Sequence, residues 1–126
     1  MIYGIGIDIV RVARMKEVVN KWGERFLQRV FTANEIAYCY EKKNPFLSLS
    51  VRFAAKEALI KAIGFTVSIP LTDIEVVNSD RGKPIIQPKG RLEEFFKENP
   101  FCKAHLSLSH EGEYGIAFVV LEKGSD

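Results

Sequence analysis

The chain has 126 residues, of which 47% are hydrophobic and 27% charged, a length and composition that suit one globular domain. No apolar run reaches the roughly 20 residues of a membrane-spanning helix, and the start MIYGIGIDIV lacks the order of a secretory signal. The net charge of +2 and the isolated Cys39 and Cys102 do not support nucleic-acid binding, a disulfide framework or a structural zinc site, so we expect a single cytoplasmic domain over residues 1–126.

The first predicted element is a strand over residues 2–9. Ile5, Ile7 and Ile9 alternate along one face of this strand, so Asp8 shares the opposite face with two glycines. Glycine inside a strand allows another backbone or a ligand to approach closely. We therefore expect a close contact beside the Asp8 carboxylate.

Three helices are predicted in the first half of the chain. The first begins near Val12, with the apolar side, including Trp22, toward the core. The second begins at Thr32, where a glutamate three residues later completes a capping-box pattern, and ends before Pro45. The third covers residues 48–63, which have high helix propensity and are followed by glycine.

The second half of the chain is predicted to be mainly antiparallel strand. A hairpin pairs residues 73–77 with 84–86, a short helix covers 91–97, and two apolar strands cover 104–109 and 114–121. The last strand is apolar on both faces, which is typical of a strand covered on both sides by helices or neighbouring subunits. One strand, about three helices and then mainly antiparallel strands indicate an α+β fold.

Asp8 and Glu57 are the acidic residues with unusual neighbours. Asp8 lies beside glycines, and Glu57 lies in the middle of a largely apolar helix. Two buried carboxylates that converge require a cation, and oxygen ligands suit Mg²⁺. The alternative is that Glu57 forms an ordinary ion pair with Lys61 one helical turn later. The residue pattern alone favours this second interpretation.

Two other features each have two interpretations. His110 follows a strand of alternating Leu and Ser, where it suits a base, a phosphate ligand or a plain surface residue. A basic stripe on the first helix, with Arg14, Lys21 and Arg25 around Val18, suits either a solvated face or the docking of an acidic protein.

Four short motifs together resemble one known family. They are G-I-G-I-D-I-V at 4–10, R-F-A-A-K-E-A at 52–58, G-K-P at 82–84 and S-L-S-H at 107–110. In order, spacing and total length the chain resembles the bacterial holo-(acyl-carrier-protein) synthases, which are small phosphopantetheinyl transferases. The resemblance implies that family's fold, and a trimer with active sites between subunits.

The resemblance also implies a reaction and its residues. Asp8 and Glu57 correspond to Mg²⁺ ligands, and Lys61 corresponds to a residue that contacts a coenzyme A phosphate. The coenzyme A site would be lined by Arg52, Lys61, Lys83, Pro84 and His110. A serine of acyl carrier protein would receive phosphopantetheine. Its proton would be removed by a metal-associated water, by Glu57 acting through such a water, or by His110. Arg14, Lys21 and Arg25 would receive the acidic carrier.

Other function classes follow from the same basic stripe. A noncatalytic trimeric module would bind acidic carrier proteins without turnover. A single-stranded RNA binder would use Trp22 and Phe26, but these aromatic side chains fall on the apolar side of the predicted helix, where core packing is favoured over base stacking. Residues 65–70 carry no motif that assigns them a contact.

Overall fold

The computed structural model describes residues 1–124, and these contain five α-helices, five strands and one short 3₁₀ turn. The first half comprises β1 (Ile2–Arg11), α1 (Val12–Trp22), α2 (Glu24–Val30), α3 (Ala33–Tyr40) and α4 (Pro45–Ile63). The second half comprises the 3₁₀ turn (Leu71–Asp73), β2 (Ile74–Asn78), β3 (Pro84–Pro88), α5 (Gly90–Glu98), β4 (Cys102–Glu111) and β5 (Tyr114–Lys123).

The strands form two antiparallel sheets. The larger sheet has the order β1-β5-β4, and the smaller one is the β2-β3 hairpin. Helix α4 packs against β1 and β5, and its alanines join Ala117, Val119 and Leu121 of β5 in the main core. This arrangement confirms the predicted α+β fold. No helix within residues 1–124 has both the length and the apolar composition that crossing a bilayer requires.

Two glycines set the distance between β1 and α4. A Cβ atom on Gly6 would lie 1.8 Å from the carbonyl oxygen of Ala58, and one on Gly4 would lie 1.9 Å from that of Ala62. No other residue type fits at these positions, because real Cβ atoms do not approach other atoms so closely. The close backbone approach predicted for this strand is therefore confirmed, and it brings Asp8 against the helix that carries Glu57.

The first predicted helix is two helices. It breaks at Gly23, which has a φ of 59°, and α2 begins at the next residue. Trp22 is 54% exposed, so the prediction that it faces the core is wrong. Leu27 and Val30 of α2 fill the core in its place, and Arg25 lies on α2 rather than on α1.

The predicted capping box is confirmed, but the next helix begins earlier than predicted. Thr32 accepts a hydrogen bond from the backbone N–H of Glu35, whose side chain accepts one from Thr32. Helix α4 begins at Pro45 rather than at residue 48, since proline suits the first helical position and Asn44 caps the helix by accepting from Leu47.

The larger sheet has one covered face and one uncovered face. Helix α4 covers the face that carries Ala117, Val119 and Leu121. On the opposite face Ile5, Ile7 and Ile9 are 58%, 58% and 59% exposed. The two-sided coverage predicted for β5 is thus met on one side within residues 1–124.

Candidate functional site

A groove of about 940 Å³ runs between β1, α1 and α4. Its walls combine three carboxylates, one of them on α1, with basic and apolar side chains. The lining residues are Asp8, Ile9, Val10, Arg11, Ala13, Arg14, Met15, Glu17, Val18, Phe26, Phe53, Glu57 and Tyr114. Of the residues singled out from the sequence, Asp8, Glu57 and Arg14 meet in this groove.

Asp8 and Glu57 reach the groove from different elements. Asp8 projects from β1 on the face of Gly4 and Gly6, and Glu57 projects from the middle of α4. The short glycine–alanine contact between the two elements brings the carboxylates together. The sequence placed these residues 49 positions apart and did not show that they meet, whereas the fold places both in one groove.

Lys61 pairs with Asp8 and not, as the alternative interpretation held, with Glu57. Its ammonium donates to Asp8 Oδ1 at 3.2 Å and to the Ile7 carbonyl at 2.9 Å. The Lys61 side chain is 43% exposed, so its remaining donor capacity faces the surface. Lys61 lies beside the groove, in a shallow depression with Ile7, Ile9 and Ile116.

The electrostatics of Glu57 reflect its neighbours. The pKa of Glu57 is raised above 4.5, first by burial and second by the negative charge of Asp8, while Lys61 opposes the shift. Two carboxylates therefore repel each other, and the single ammonium of Lys61 offsets them only in part. This imbalance favours the uptake of a cation.

The donor set fits Mg²⁺. Within residues 1–124 no group of three or more His, Cys, Asp or Glu side chains converges as a metal site. Mg²⁺ is nevertheless commonly bound by only one or two protein carboxylates, since waters and substrate phosphates complete its coordination. The oxygen donors of Asp8 and Glu57, which repel each other without a cation, match this type of coordination.

Arg52 is buried and largely engaged within the chain. Its guanidinium lies 4.3 Å from the Tyr38 ring centroid, and it donates to Ser48 at 3.0 Å and to Asn78 at 3.3 Å. Its Nε is buried without a partner. Arg52 therefore ties α4 to α3 and β2, outside the groove.

Lys83, Pro84 and His110 also lie outside the groove. Lys83 is exposed in the β2-β3 turn, and Pro84 begins β3. His110 is exposed on β4 opposite Gly115, which in turn pairs with Val10 on β1. His110 therefore shares the sheet face of Asp8 but sits two strands, about 10 Å, away.

The basic residues do not form one stripe. Arg14 lines the groove, Lys21 lies 5.3 Å from the Trp22 ring centroid at the end of α1, and Arg25 is exposed on α2. The break at Gly23 separates Arg25 from the other two.

Several groove residues were not identified from the sequence. Phe53 lies in the same motif as Glu57, and Tyr114 lies opposite Arg11 in the β1-β5 ladder. Phe53 precedes Glu57 by one helical turn, so its position beside Glu57 is predictable from the sequence. The position of Tyr114 is not predictable in this way, since only strand pairing brings it to the groove.

Comparison with known proteins assigns the chain and its fold to one family. Residues 4–119 match the model of the 4'-phosphopantetheinyl transferase superfamily. The chain is 49% identical to the holo-[acyl-carrier-protein] synthase of Halothermothrix orenii, over 98% of this chain and 100% of that protein.

Solved structures agree. The chain resembles the holo-[acyl-carrier-protein] synthase of Neisseria meningitidis with a TM-score of 0.89, 35% identity and coverage of 98% of this chain and 100% of that one. It also resembles the Bacillus anthracis enzyme in complex with CoA (3',5'-ADP), with a TM-score of 0.80, 38% identity and coverage of 98% and 99%. This chain therefore belongs to the 4'-phosphopantetheinyl transferase superfamily and, within it, to the holo-(acyl-carrier-protein) synthases.

Proposed function

We propose that this chain transfers 4'-phosphopantetheine from coenzyme A to a serine of apo acyl carrier protein, in a Mg²⁺-dependent reaction that supports fatty acid biosynthesis. The observation that carries the proposal is the meeting of Asp8 and Glu57 in one groove that also reaches Arg14. Relatives named holo-[acyl-carrier-protein] synthase, one of them solved with CoA, support the substrate assignment. The proposal treats residues 1–126 as one catalytic domain.

In this proposal Asp8 and Glu57 hold the metal. Bound there, Mg²⁺ would offset the repulsion between the carboxylates and polarise the coenzyme A pyrophosphate. Lys61 already holds Asp8 and has exposed donor capacity, so it is placed to contact a phosphate oxygen as a point charge.

The group transfer balances as a single displacement at phosphorus. The serine oxygen attacks the β-phosphorus of coenzyme A, and the bond from that phosphorus to the bridging oxygen breaks. Adenosine 3',5'-bisphosphate leaves with the electron pair. Glu57, acting through a water, is the first candidate to accept the serine proton, and His110 is the second.

Arg52, Lys83 and Pro84 complete the proposed coenzyme A site. The buried Arg52 anchors the corner where α3, α4 and β2 meet, and Lys83 is exposed on the turn that follows β2. The exposed cation on that turn suits a phosphate of a nucleotide.

The carrier would dock on the basic side of the groove. Arg14 lines the groove, while Lys21 and Arg25 extend the positive surface onto the ends of α1 and α2. Half-buried Val18 provides an apolar contact among them. An acidic protein is the complementary partner, because opposite charges steer association and set orientation.

A homotrimer with active sites between subunits would cover the open face of the sheet. Three apolar rows, Ile5–Val120, Ile7–Phe118 and Ile9–Ile116, form a continuous patch there, with Phe118 40% exposed. Patches of this kind mark protein interfaces. Ile9, from this face, also borders the groove, so a subunit seated on the patch would border the site.

The proposed reaction uses coenzyme A and a carrier protein, which favours the cytoplasm as the compartment. That localisation stays a prediction.

Intact-mass spectrometry tests the proposal. With Mg²⁺ and coenzyme A, the chain should convert apo acyl carrier protein into a form heavier by one phosphopantetheine, and chelation should stop the conversion until Mg²⁺ is restored. Asp8→Asn should abolish it, whereas the matched control Glu17→Gln, which removes the groove's α1 carboxylate, should retain it.

The absence of a mass shift with any carrier from the same cell would refute the proposed transferase activity. Carrier binding without a mass shift, and without dependence on Mg²⁺, would support the noncatalytic trimeric module instead.

A further inference from the structure

One lysine lies wholly inside the protein, next in sequence to Glu57. Lys56 has no exposed side-chain surface, and its ammonium donates three hydrogen bonds. The acceptors are Glu35 Oε1 at 2.7 Å, the Leu71 carbonyl at 2.9 Å and the Ile74 carbonyl at 2.7 Å. All three protons of the ammonium are therefore used, and none by α4 itself.

Glu35 is equally saturated. Besides Lys56, its carboxylate accepts from the backbone N–H groups of Thr32 and Val76, each at 3.0 Å. Thr32 in turn donates to Glu75, which pairs with Lys89 at 3.3 Å. The network thus joins the start of α3, the 3₁₀ turn and β2 to one point on α4.

On the opposite side, α4 meets β1 through small groups. There Gly4 and Gly6 face the backbone at Ala62 and Ala58, which allows close approach but offers few protruding side chains to fix rotation and sliding. Lys61 adds hydrogen bonds to β1 from a side chain that is 43% exposed. The hydrogen bonds of Lys56 are fully buried, so they are the more rigid directional restraint on the helix.

From this geometry we infer that Lys56, held by Glu35, is a positioning residue for the metal-binding pair. Successive helical residues project about 100° apart, so fixing Lys56 fixes the direction of Glu57 toward Asp8. A buried ion pair adds little net stability over an apolar pair of the same volume, and orientation is the role it serves better. The inference rests on the proposed function of Asp8 and Glu57.

The test uses the double variant Glu35→Gln/Lys56→Met, which removes both charges and leaves no lone buried charge. Mn²⁺ serves as the probe, and its binding in the presence of coenzyme A is followed by loss of the free-ion electron paramagnetic resonance signal. We expect the Mn²⁺ Kd to rise at least tenfold. The Mg²⁺ concentration for half-maximal transfer should rise in parallel, with the KM for the carrier unchanged, since the carrier surface lies on α1 and α2.

Leu92→Ala is the matched control. Leu92 is fully buried in α5, so its truncation opens a cavity and destabilises the fold, while its side chain makes none of the hydrogen bonds of Lys56 and Glu35. It should lower the melting temperature and leave the Mn²⁺ Kd unchanged. A purely structural role for Lys56 predicts the same behaviour for the double variant.

A rise of less than threefold in the Mn²⁺ Kd of the folded double variant overturns the inference. Where that variant does not fold, Glu35→Asp decides, since it keeps both charges but withdraws the carboxylate from Lys56; the same threefold limit applies. If the wild-type chain neither binds Mn²⁺ with coenzyme A nor modifies the carrier, the proposed function fails rather than the positioning role.

Discussion

Helix α4 contributes a lysine to each of two lysine–carboxylate clusters. The clusters differ in burial and in how many of their polar groups have hydrogen-bond partners. In the inner cluster Lys56 and Glu35 are both fully buried and lie 2.7 Å apart. In the outer cluster Lys61 is 43% exposed, it lies 3.2 Å from Asp8, and Glu57 beside them has a raised pKa.

The clusters differ in the ratio of carboxylates to ammonium groups. The inner network sets two carboxylates, Glu35 and Glu75, against two ammonium groups, Lys56 and Lys89. The outer cluster sets Asp8 and Glu57 against Lys61 alone. A balanced, saturated network holds structure, whereas an unbalanced one retains charge for a ligand.

The largest expected effect comes from unbalancing the inner cluster. Lys56→Met leaves Glu35 buried without its cation, so the free energy of unfolding should fall by about 3–5 kcal/mol. The corresponding outer change, Lys61→Met, should cost about 0–1 kcal/mol because that pair is partly exposed. Urea denaturation of both variants measures the contrast. Equal losses would show that the clusters do not differ.

Glu57→Gln tests the outer cluster for function. Removing one ionised metal ligand should lower kcat/KM for transfer roughly a hundredfold or more, since stabilisation of developing charge is lost. Initial rates of phosphopantetheine transfer at coenzyme A concentrations well below KM measure it. A variant that keeps more than a third of the activity would remove Glu57 from the site.

Gly6→Ala widens the gap between β1 and α4, which lies within the outer cluster. Its Cβ would meet the Ala58 carbonyl at 1.8 Å, so β1 must move away from α4, at a cost of about 1–3 kcal/mol or more. Mg²⁺ affinity should fall as Asp8 moves from Glu57. Gly115→Ala is the milder control, because there the nearest atom is a side-chain methyl of Val51 at 2.9 Å. Thermal melts and Mg²⁺ titrations of both variants should separate them, and unchanged Mg²⁺ affinity in Gly6→Ala would contradict the spacing role.

The smallest effect is on stability without metal. Because the pKa of Glu57 is raised in the fold, wild type binds more protons folded than unfolded, and it loses stability as pH rises from 4.5 through the raised value. Glu57→Gln lacks this loss. In chelator, the stability of the variant relative to wild type should therefore increase with pH across that window, as measured by urea midpoints. A stability difference that stays constant or decreases with pH would show that the fold does not raise the pKa of Glu57.

Local signals in the sequence predicted local structure well. The capping box of α3, the β2-β3 hairpin and the paired strands β4 and β5 each depend on neighbouring residues, and each is confirmed. The errors in the helix bounds arose where one residue type is compatible with two local structures. Gly23 was not recognised as a break, and Pro45 marked a helix start as well as a limit on the helix before it.

The candidate site was predictable only in part. Asp8 and Glu57 were notable for their neighbours, and family resemblance paired them. Lys56, equally unusual in an apolar helix, was passed over because its partner Glu35 lies 21 residues away on another helix.

By itself the sequence determined most of the elements, the glycine pair that permits close packing and the carboxylates that suit a cation, since these follow from residue type and short-range spacing. Only the tertiary structure decided which lysine serves which carboxylate. That choice depends on the docking of α4 between β1 on one side and α3 and β2 on the other, through contacts between residues distant in the chain. The same docking buries the Lys56–Glu35 cluster fully and leaves the Lys61–Asp8 cluster partly exposed.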